Sequence, residues 1–125
     1  MHKHLPFLEV LHREKMNNPF RSGTADWWYS GSKADLWVEY KYIPKLPVQA
    51  LILPDLSARQ KDWLAGRYRE GRNVAVVVGS PEGCVIYTSL GWLDKLSPEE
   101  FRERACTRQE LASWLCKQTV RETKK

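Results

Sequence analysis

The sequence predicts an α/β protein (mixed α+β) in which helices flank a central mixed sheet. Residues 74–78 (Val-Ala-Val-Val-Val) form an apolar, β-branched run that is typical of a strand covered on both faces. Two aromatic-rich segments before it, 24–30 and 35–43, have the spacing of a hairpin. Helix-start signals follow each group of strands. The predicted order is helix, two or three strands, helix, two strands, helix, helix.

The first predicted helix covers residues 3–17. Leu5, Leu8 and Leu11 recur at helical spacing, and Pro19 marks a point at which a helix cannot continue. The segments 24–30 and 35–43 then form an antiparallel hairpin around a turn at Gly31-Ser32-Lys33. An extended connection without regular structure follows, which is indicated by Pro44, Pro47 and Pro54.

The second predicted helix begins at Ser57 and ends before Gly71. Ser57 and Gln60 have the spacing of a capping box, and glycine is a common helix stop. This helix is the expected crossover into the buried strand at 74–78. A turn at Ser80-Pro81-Glu82-Gly83 leads into a further strand, 84–88.

Two helices complete the chain. Ser97 precedes a proline and stands three residues before Glu100, and Thr107 stands three residues before Glu110. We therefore expect a single domain over residues 1–125, with a core at about 5–88 and a helical extension at about 97–120.

Length, charge and cysteine content exclude several classes. The 125 residues fit one domain, and no apolar stretch approaches the roughly 20 residues that a membrane span needs. The N-terminus has no apolar signal sequence, so we expect a cytoplasmic protein. Three widely spaced cysteines form no zinc pattern and indicate reduced thiols. The net charge is +5, and seven basic residues against three acidic ones lie in residues 101–125, which suits a polyanionic partner.

Asp26, Glu39 and Lys41 are the residues that predict chemistry. Glu39 and Lys41 lie two apart on a predicted strand and therefore share a face, although aromatic and aliphatic neighbours indicate that this strand is largely buried. The hairpin would bring the Asp26 carboxylate beside that of Glu39. Two close carboxylates repel each other and bind hard cations, and a lysine beside them can stabilise an anionic phosphate. A Glu39–Lys41 ion pair on a solvated sheet face fits the same spacing, and spacing alone leaves both interpretations open.

These residues resemble the PD-(D/E)XK nuclease superfamily. The segment Gly23-Thr24-Ala25-Asp26, followed by Trp37-Val38-Glu39-Tyr40-Lys41, is most similar to Holliday-junction-resolvase-like and VRR-NUC-type nucleases. Those enzymes often have a proline where this chain has Ala25, but the proline is not a catalytic group. Their next elements, a helix with a glutamine and a Val-rich strand, match Gln60 and residues 74–78. The resemblance covers about residues 5–88.

The resemblance implies a restriction-endonuclease-like core of αβββαβ order that hydrolyses DNA with Mg²⁺, for which Mn²⁺ substitutes. It assigns metal binding to Asp26, Glu39 and the backbone carbonyl of Tyr40, with Glu9 of the first helix as a further ligand. Lys41 and Gln60 join Asp26 and Glu39 as catalytic residues. For Glu9 a solvated helical position, and for Gln60 the capping box alone, are the alternatives.

The expected function is a metal-dependent DNA endonuclease that acts on branched DNA, with a homodimer supplying paired active sites. The alternative is a non-catalytic nucleic-acid-binding or interaction module on the same fold. A restriction-type or RNA-directed nuclease is a third candidate. The intact set of Asp26, Glu39 and Lys41 favours an enzyme.

Overall fold

The computed structural model of the chain describes residues 12–15 and 27–119. These two ranges contain nine elements, which are β1 (His12–Lys15), β2 (Trp27–Ser30), β3 (Asp35–Tyr42), α1 (Ala58–Arg69), β4 (Val74–Ser80), β5 (Gly83–Tyr87), a 3-10 turn (Gly91–Leu93), α2 (Pro98–Arg104) and α3 (Arg108–Thr119). The predicted class, a mixed sheet flanked by helices, is confirmed.

The five strands form one mixed sheet in the order β1-β2-β3-β4-β5. All neighbouring strands are antiparallel except β3 and β4, which are parallel and joined by α1. The register places Glu39 beside Val76 and Lys41 beside Val78. As predicted, β4 is buried on both faces, with every residue from Val74 to Gly79 inaccessible to solvent or nearly so. The predicted crossover at α1 is therefore confirmed.

Each face of the sheet is covered by its own apolar cluster. One cluster contains Leu64 of α1 and Phe101 of α2, packed with Val76 and Val78 of β4. The other contains Leu111, Ala112 and Leu115 of α3, packed with Val38, Ala75 and Val77. Because successive strand residues point to opposite faces, β3 and β4 contribute alternate residues to the two clusters. Helix α2 thus contributes to the first apolar cluster and α3 to the second.

The predicted helix over residues 3–17 is wrong at residues 12–15. His12–Lys15 form the edge strand β1, paired antiparallel with β2. The leucine spacing that predicts the helix ends at Leu11. Residues 12–15 contain no apolar residue, so their sequence shows neither the helical nor the strand pattern of apolar positions. Pairing with the open edge of β2 decides their conformation, because it satisfies backbone groups of both strands. The remainder of that predicted helix, including Glu9, lies outside the described residues.

Within the described residues, the other predicted elements differ from the structure only at their ends, and residues 24–26 of the first predicted strand lie outside them. The second helix has the predicted capping box and is followed by Gly71, whose φ of 80° is a left-handed conformation that favours glycine. Residues 43–57 contain neither helix nor strand, as the prolines indicate, apart from a bridge between Ile52 and Leu96. The three cysteines are free, and burial raises the pKa of the Cys84 thiol. In the described ranges, no helix is long and apolar enough to cross a membrane.

The turn between β2 and β3 packs directly against the end of α3. The backbone oxygen of Thr119 accepts hydrogen bonds from the N–H groups of Lys33 and Ala34, at 2.8 and 3.2 Å. A Cβ on Gly31 would lie within 2.4 Å of that oxygen, so only glycine fits the present approach. The hairpin and the last helix are therefore held together through backbone atoms.

We expect Gly31→Ala to lower the free energy of unfolding by about 1–3 kcal/mol, because the added methyl group must displace Thr119. Gly66→Ala is the matched control. It lies inside α1, where an added Cβ meets nothing within 4 Å, so the same change should stabilise the protein by about 0.5–1 kcal/mol. Urea denaturation of both variants measures these differences. Equal effects at the two glycines would contradict the close packing at Gly31.

Candidate active site

Glu39 is a carboxylate inside the sheet. Its side chain is only 2% exposed, and it lies on β3, the middle strand of the sheet. An isolated ionised carboxylate in such surroundings is strongly disfavoured unless donors or cations compensate it. The groups that surround Glu39 therefore determine whether a charged side chain is tolerated at this position.

Gln60 supplies one of the compensating donors. Its Nε2 lies 3.2 Å from Oε2 of Glu39, and its Oε1 accepts a hydrogen bond from the backbone N–H of Ser57 at 3.0 Å. The Oγ of Ser57 in turn accepts from the backbone N–H of Gln60. The Gln60 side chain thus caps the helix, as predicted, and also contacts Glu39. Its catalytic role stays a prediction.

Lys41 supplies the positive charge. Its Nζ lies 3.6 Å from the same Oε2 of Glu39, and its side chain is 27% exposed. The two residues share a face of β3, as their spacing predicts. The carboxylate is therefore buried, and the lysine side chain beside it is partly accessible to solvent. This partly buried pair differs from the exposed ion pair that was the alternative interpretation.

Aromatic rings form the apolar wall next to Glu39. Trp37 precedes it on the same face of β3, and its ring contacts Trp63 of α1 edge-on, with centroids 5.5 Å apart. Trp28 of β2 also stacks on Trp37, with ring centroids 5.9 Å apart. The guanidinium of Arg67 lies 5.9 Å from the centre of the Trp63 ring. Residues three apart on a helix share a face, and so do residues two apart on a strand. Gln60 and Trp63 of α1 therefore contact Glu39 and Trp37 of β3, respectively.

Comparison with known proteins gives one kind of match. No family model matches the chain, and no curated protein matches it by sequence. A solved structure does match, that of Hjc, a Holliday junction resolvase from the archaeal hyperthermophile Archaeoglobus fulgidus. The TM-score is 0.55 at 14% sequence identity, and the match covers 86% of this chain and 89% of that chain. That resolvase is a member of the PD-(D/E)XK superfamily.

The chain has the restriction-endonuclease-like fold. The likeness covers more of the chain than residues 5–88, the part on which the sequence resemblance rests. At 14% identity it shows the fold and leaves the roles of individual residues to the site geometry.

The described part of this fold contains some of the predicted site residues. It brings Glu39, Lys41 and Gln60 together. Tyr40 points to the opposite face, where its hydroxyl is hydrogen-bonded to that of Tyr29, so only its backbone is available on the Glu39 side. Within residues 12–15 and 27–119 there is no group of three His, Cys, Asp or Glu residues that could hold a metal ion.

Asp26 and Glu9 lie outside the described residues. The described β2–β3 register begins with Trp27 opposite Val38, the residues that adjoin Asp26 and Glu39 in sequence. The position of Asp26 relative to Glu39 lies outside the described residues. The metal-ligand set therefore stays a prediction.

Sequence reasoning missed two contributors to the site. The capping-box spacing assigns Ser57 to the helix cap, and its N–H also holds the amide that contacts Glu39. The aromatic pattern predicts no contact between Trp28 and Trp37, although the hairpin register places them opposite each other. The capping-box spacing and the hairpin spacing were the signals for these two contacts.

Breaking the Glu39–Lys41 pair should be costly only while Glu39 keeps its charge. We expect Lys41→Met to lower the free energy of unfolding by about 1–3 kcal/mol, less than for a fully buried pair because Lys41 is 27% exposed. Glu39→Gln keeps the shape and removes the charge, so we expect a change within about 1 kcal/mol. The double variant should recover most of the loss of Lys41→Met. Additive losses, measured by urea denaturation, would show that the two side chains do not interact.

Proposed function

We propose that this protein is a metal-dependent endonuclease that hydrolyses phosphodiester bonds in DNA, with branched DNA as its preferred substrate. The observation that carries the proposal is the buried carboxylate of Glu39, held by Gln60 at 3.2 Å and by Lys41 at 3.6 Å. These groups lie on a fold like that of a Holliday junction resolvase. A purely structural strand in a core has no need of such a set, because apolar residues would fill the same space without a desolvation penalty.

The donor set suits a hard divalent cation, Mg²⁺ or Mn²⁺. Carboxylate and carbonyl oxygens are the ligands that such ions prefer, and the proposal assigns Asp26, Glu39, the Tyr40 carbonyl and Glu9 to this role. When bound, the cation lowers the pKa of its water and so supplies a nucleophile at neutral pH. A cation beside Glu39 would also compensate the buried charge that Gln60 and Lys41 now compensate.

Lys41 is suited to act on the substrate. Its side chain is partly exposed on the same face as Glu39, and its ammonium group can stabilise the charge that develops on a phosphate oxygen. The first turn of α1 adjoins the site and contains no acidic residue, so it adds no repulsion to an approaching phosphate. The net charge of +5 favours DNA as the partner in the same way.

The purified protein should cleave DNA in Mg²⁺ or Mn²⁺ and should be inactive in EDTA. Linear duplex, single-stranded DNA and a four-way junction, tested side by side on a gel, rank the substrates, and we expect the junction to be cut fastest.

Asp26→Asn and Glu39→Gln should abolish cleavage while DNA binding in Ca²⁺ falls less than threefold, because both changes remove ligands and retain shape. Sedimentation of the protein with and without the junction tests the predicted homodimer.

Tight DNA binding without cleavage in any of these metals would instead support the non-catalytic binding module. Cleavage of RNA in preference to DNA would support the RNA-directed alternative. A loss of folding in Asp26→Asn, measured by circular dichroism, would assign that residue a structural role.

Replacement of Lys41 separates charge pairing from catalysis. Lys41→Arg keeps the charge beside Glu39 but replaces a compact ammonium with a planar guanidinium, so we expect stability close to wild type and a loss of about 10²–10³-fold in kcat. Lys41→Met should lose at least as much. Single-turnover cleavage at saturating Mg²⁺ measures the rate, and thermal melting measures the fold. Cleavage at the wild-type rate in either variant would contradict a catalytic role for Lys41.

A further inference from the structure

The amide of Gln60 lies between a group that can only donate and a group that accepts. Ser57 presents its backbone N–H to Oε1 at 3.0 Å, and Glu39 presents Oε2 to Nε2 at 3.2 Å. A backbone N–H has no acceptor to offer, and an ionised carboxylate has no donor. Only one of the two amide orientations satisfies both partners. The helix cap therefore fixes which end of Gln60 faces the carboxylate.

The other two capping boxes of the described residues show that the cap itself does not require glutamine. Helix α2 pairs Ser97 with Glu100, and α3 pairs Thr107 with Glu110, with the same reciprocal hydrogen bonds. A glutamate at the third helical position caps as well as a glutamine does. In α1 a glutamate at position 60 would place a second carboxylate against buried Glu39. The neutral amide is thus required by the site and not by the helix.

We infer that Gln60 is a positioning residue that acts through Glu39, and that the backbone N–H of Ser57 is the anchor that fixes it. This inference rests on the proposed function, since it states how the carboxylate on β3 is held in place for its ligand. It also separates Gln60 from Lys41. Both contact Oε2 of Glu39, but the amide is engaged at both ends, whereas the Lys41 side chain is partly exposed to solvent.

The decisive variant is Gln60→Glu, because it keeps the capping box and changes only the group that faces Glu39. We expect kcat to fall about 10–100-fold, the usual effect of losing a group that orients a metal ligand, with KM for DNA changed less than threefold. The melting temperature should also fall. The reverse change in an equivalent box, Glu100→Gln in α2, is the matched control and should leave cleavage unchanged.

A swapped pair tests the contact without reference to activity. Glu39→Gln combined with Gln60→Glu restores one amide and one carboxylate at the same place, so we expect the melting temperature to return most of the way to that of wild type. Cleavage should stay absent, because the carboxylate has moved from β3 to α1. Recovery of stability in the swap, with loss in Gln60→Glu alone, identifies the 39–60 contact as the cause.

The anchor is tested by removing one N–H group. The φ of Ser57 is −68°, which proline adopts, so Ser57→Pro removes the donor to Gln60 without forcing a new φ. Ser57→Ala removes the hydroxyl and keeps the N–H. We expect Ser57→Pro to lower kcat at least fivefold more than Ser57→Ala does. Ser97→Pro and Ser97→Ala, at a φ of −69°, are the corresponding changes in α2 and should not differ in cleavage.

Nuclear magnetic resonance of the protein without added metal provides a measurement that a general loss of stability would not change. In the wild type, one side-chain amide proton of Gln60 should be shifted downfield and protected from exchange, and Ser57→Pro should abolish both properties. An unprotected Gln60 amide in the wild type, or wild-type kcat in Gln60→Glu, would overturn the inference. If the wild-type protein cleaves no DNA at all, the proposed function fails, and the amide signal and the swapped pair still decide whether Gln60 positions Glu39.

Discussion

The need to compensate one buried carboxylate governs the arrangement around the centre of this molecule. Glu39 is 2% exposed on the middle strand of the sheet, where a charge without partners would favour unfolding or protonation. Its partners come from two levels of structure. Lys41 is local, two residues along the same strand, and Gln60 arrives from α1 after the crossover. The strand and the helix are therefore coupled by polar chemistry as well as by apolar packing.

The placement of α1 is what makes this coupling possible. The connection from β3 to β4 must cross the sheet because the two strands are parallel, and it does so with a helix whose first turn lies over Glu39. The bridge between Ile52 and Leu96 holds the segment before α1 to the segment before α2. Further along α1, Trp63 packs against Trp37, and Leu64 belongs to the apolar cluster on that face of the sheet. Polar and apolar contacts thus fix the same helix on the same face.

The C-terminal helices contribute to the site indirectly. Helix α3 covers the face of the sheet opposite Glu39, and its last residue holds the β2–β3 turn through the Thr119 oxygen. That turn sets the register of the hairpin whose second strand carries Glu39 and Lys41. The sequence resemblance ends near residue 88, yet these later helices keep the strands of the site in place.

Local signals in the sequence determined most of the helices and strands, and they placed Glu39 and Lys41 on one face. Capping spacing, prolines and the apolar run at 74–78 predict α1, the irregular connection and β4 because each is a short-range preference of the backbone. The face shared by Glu39 and Lys41 follows from strand geometry alone. Tertiary structure decided the rest. The strand at His12–Lys15 depends on the open edge of β2 and not on its own residues. The depth of Glu39 and the double role of Gln60 depend on where α1 lands on the sheet, and no spacing within either segment contains that information.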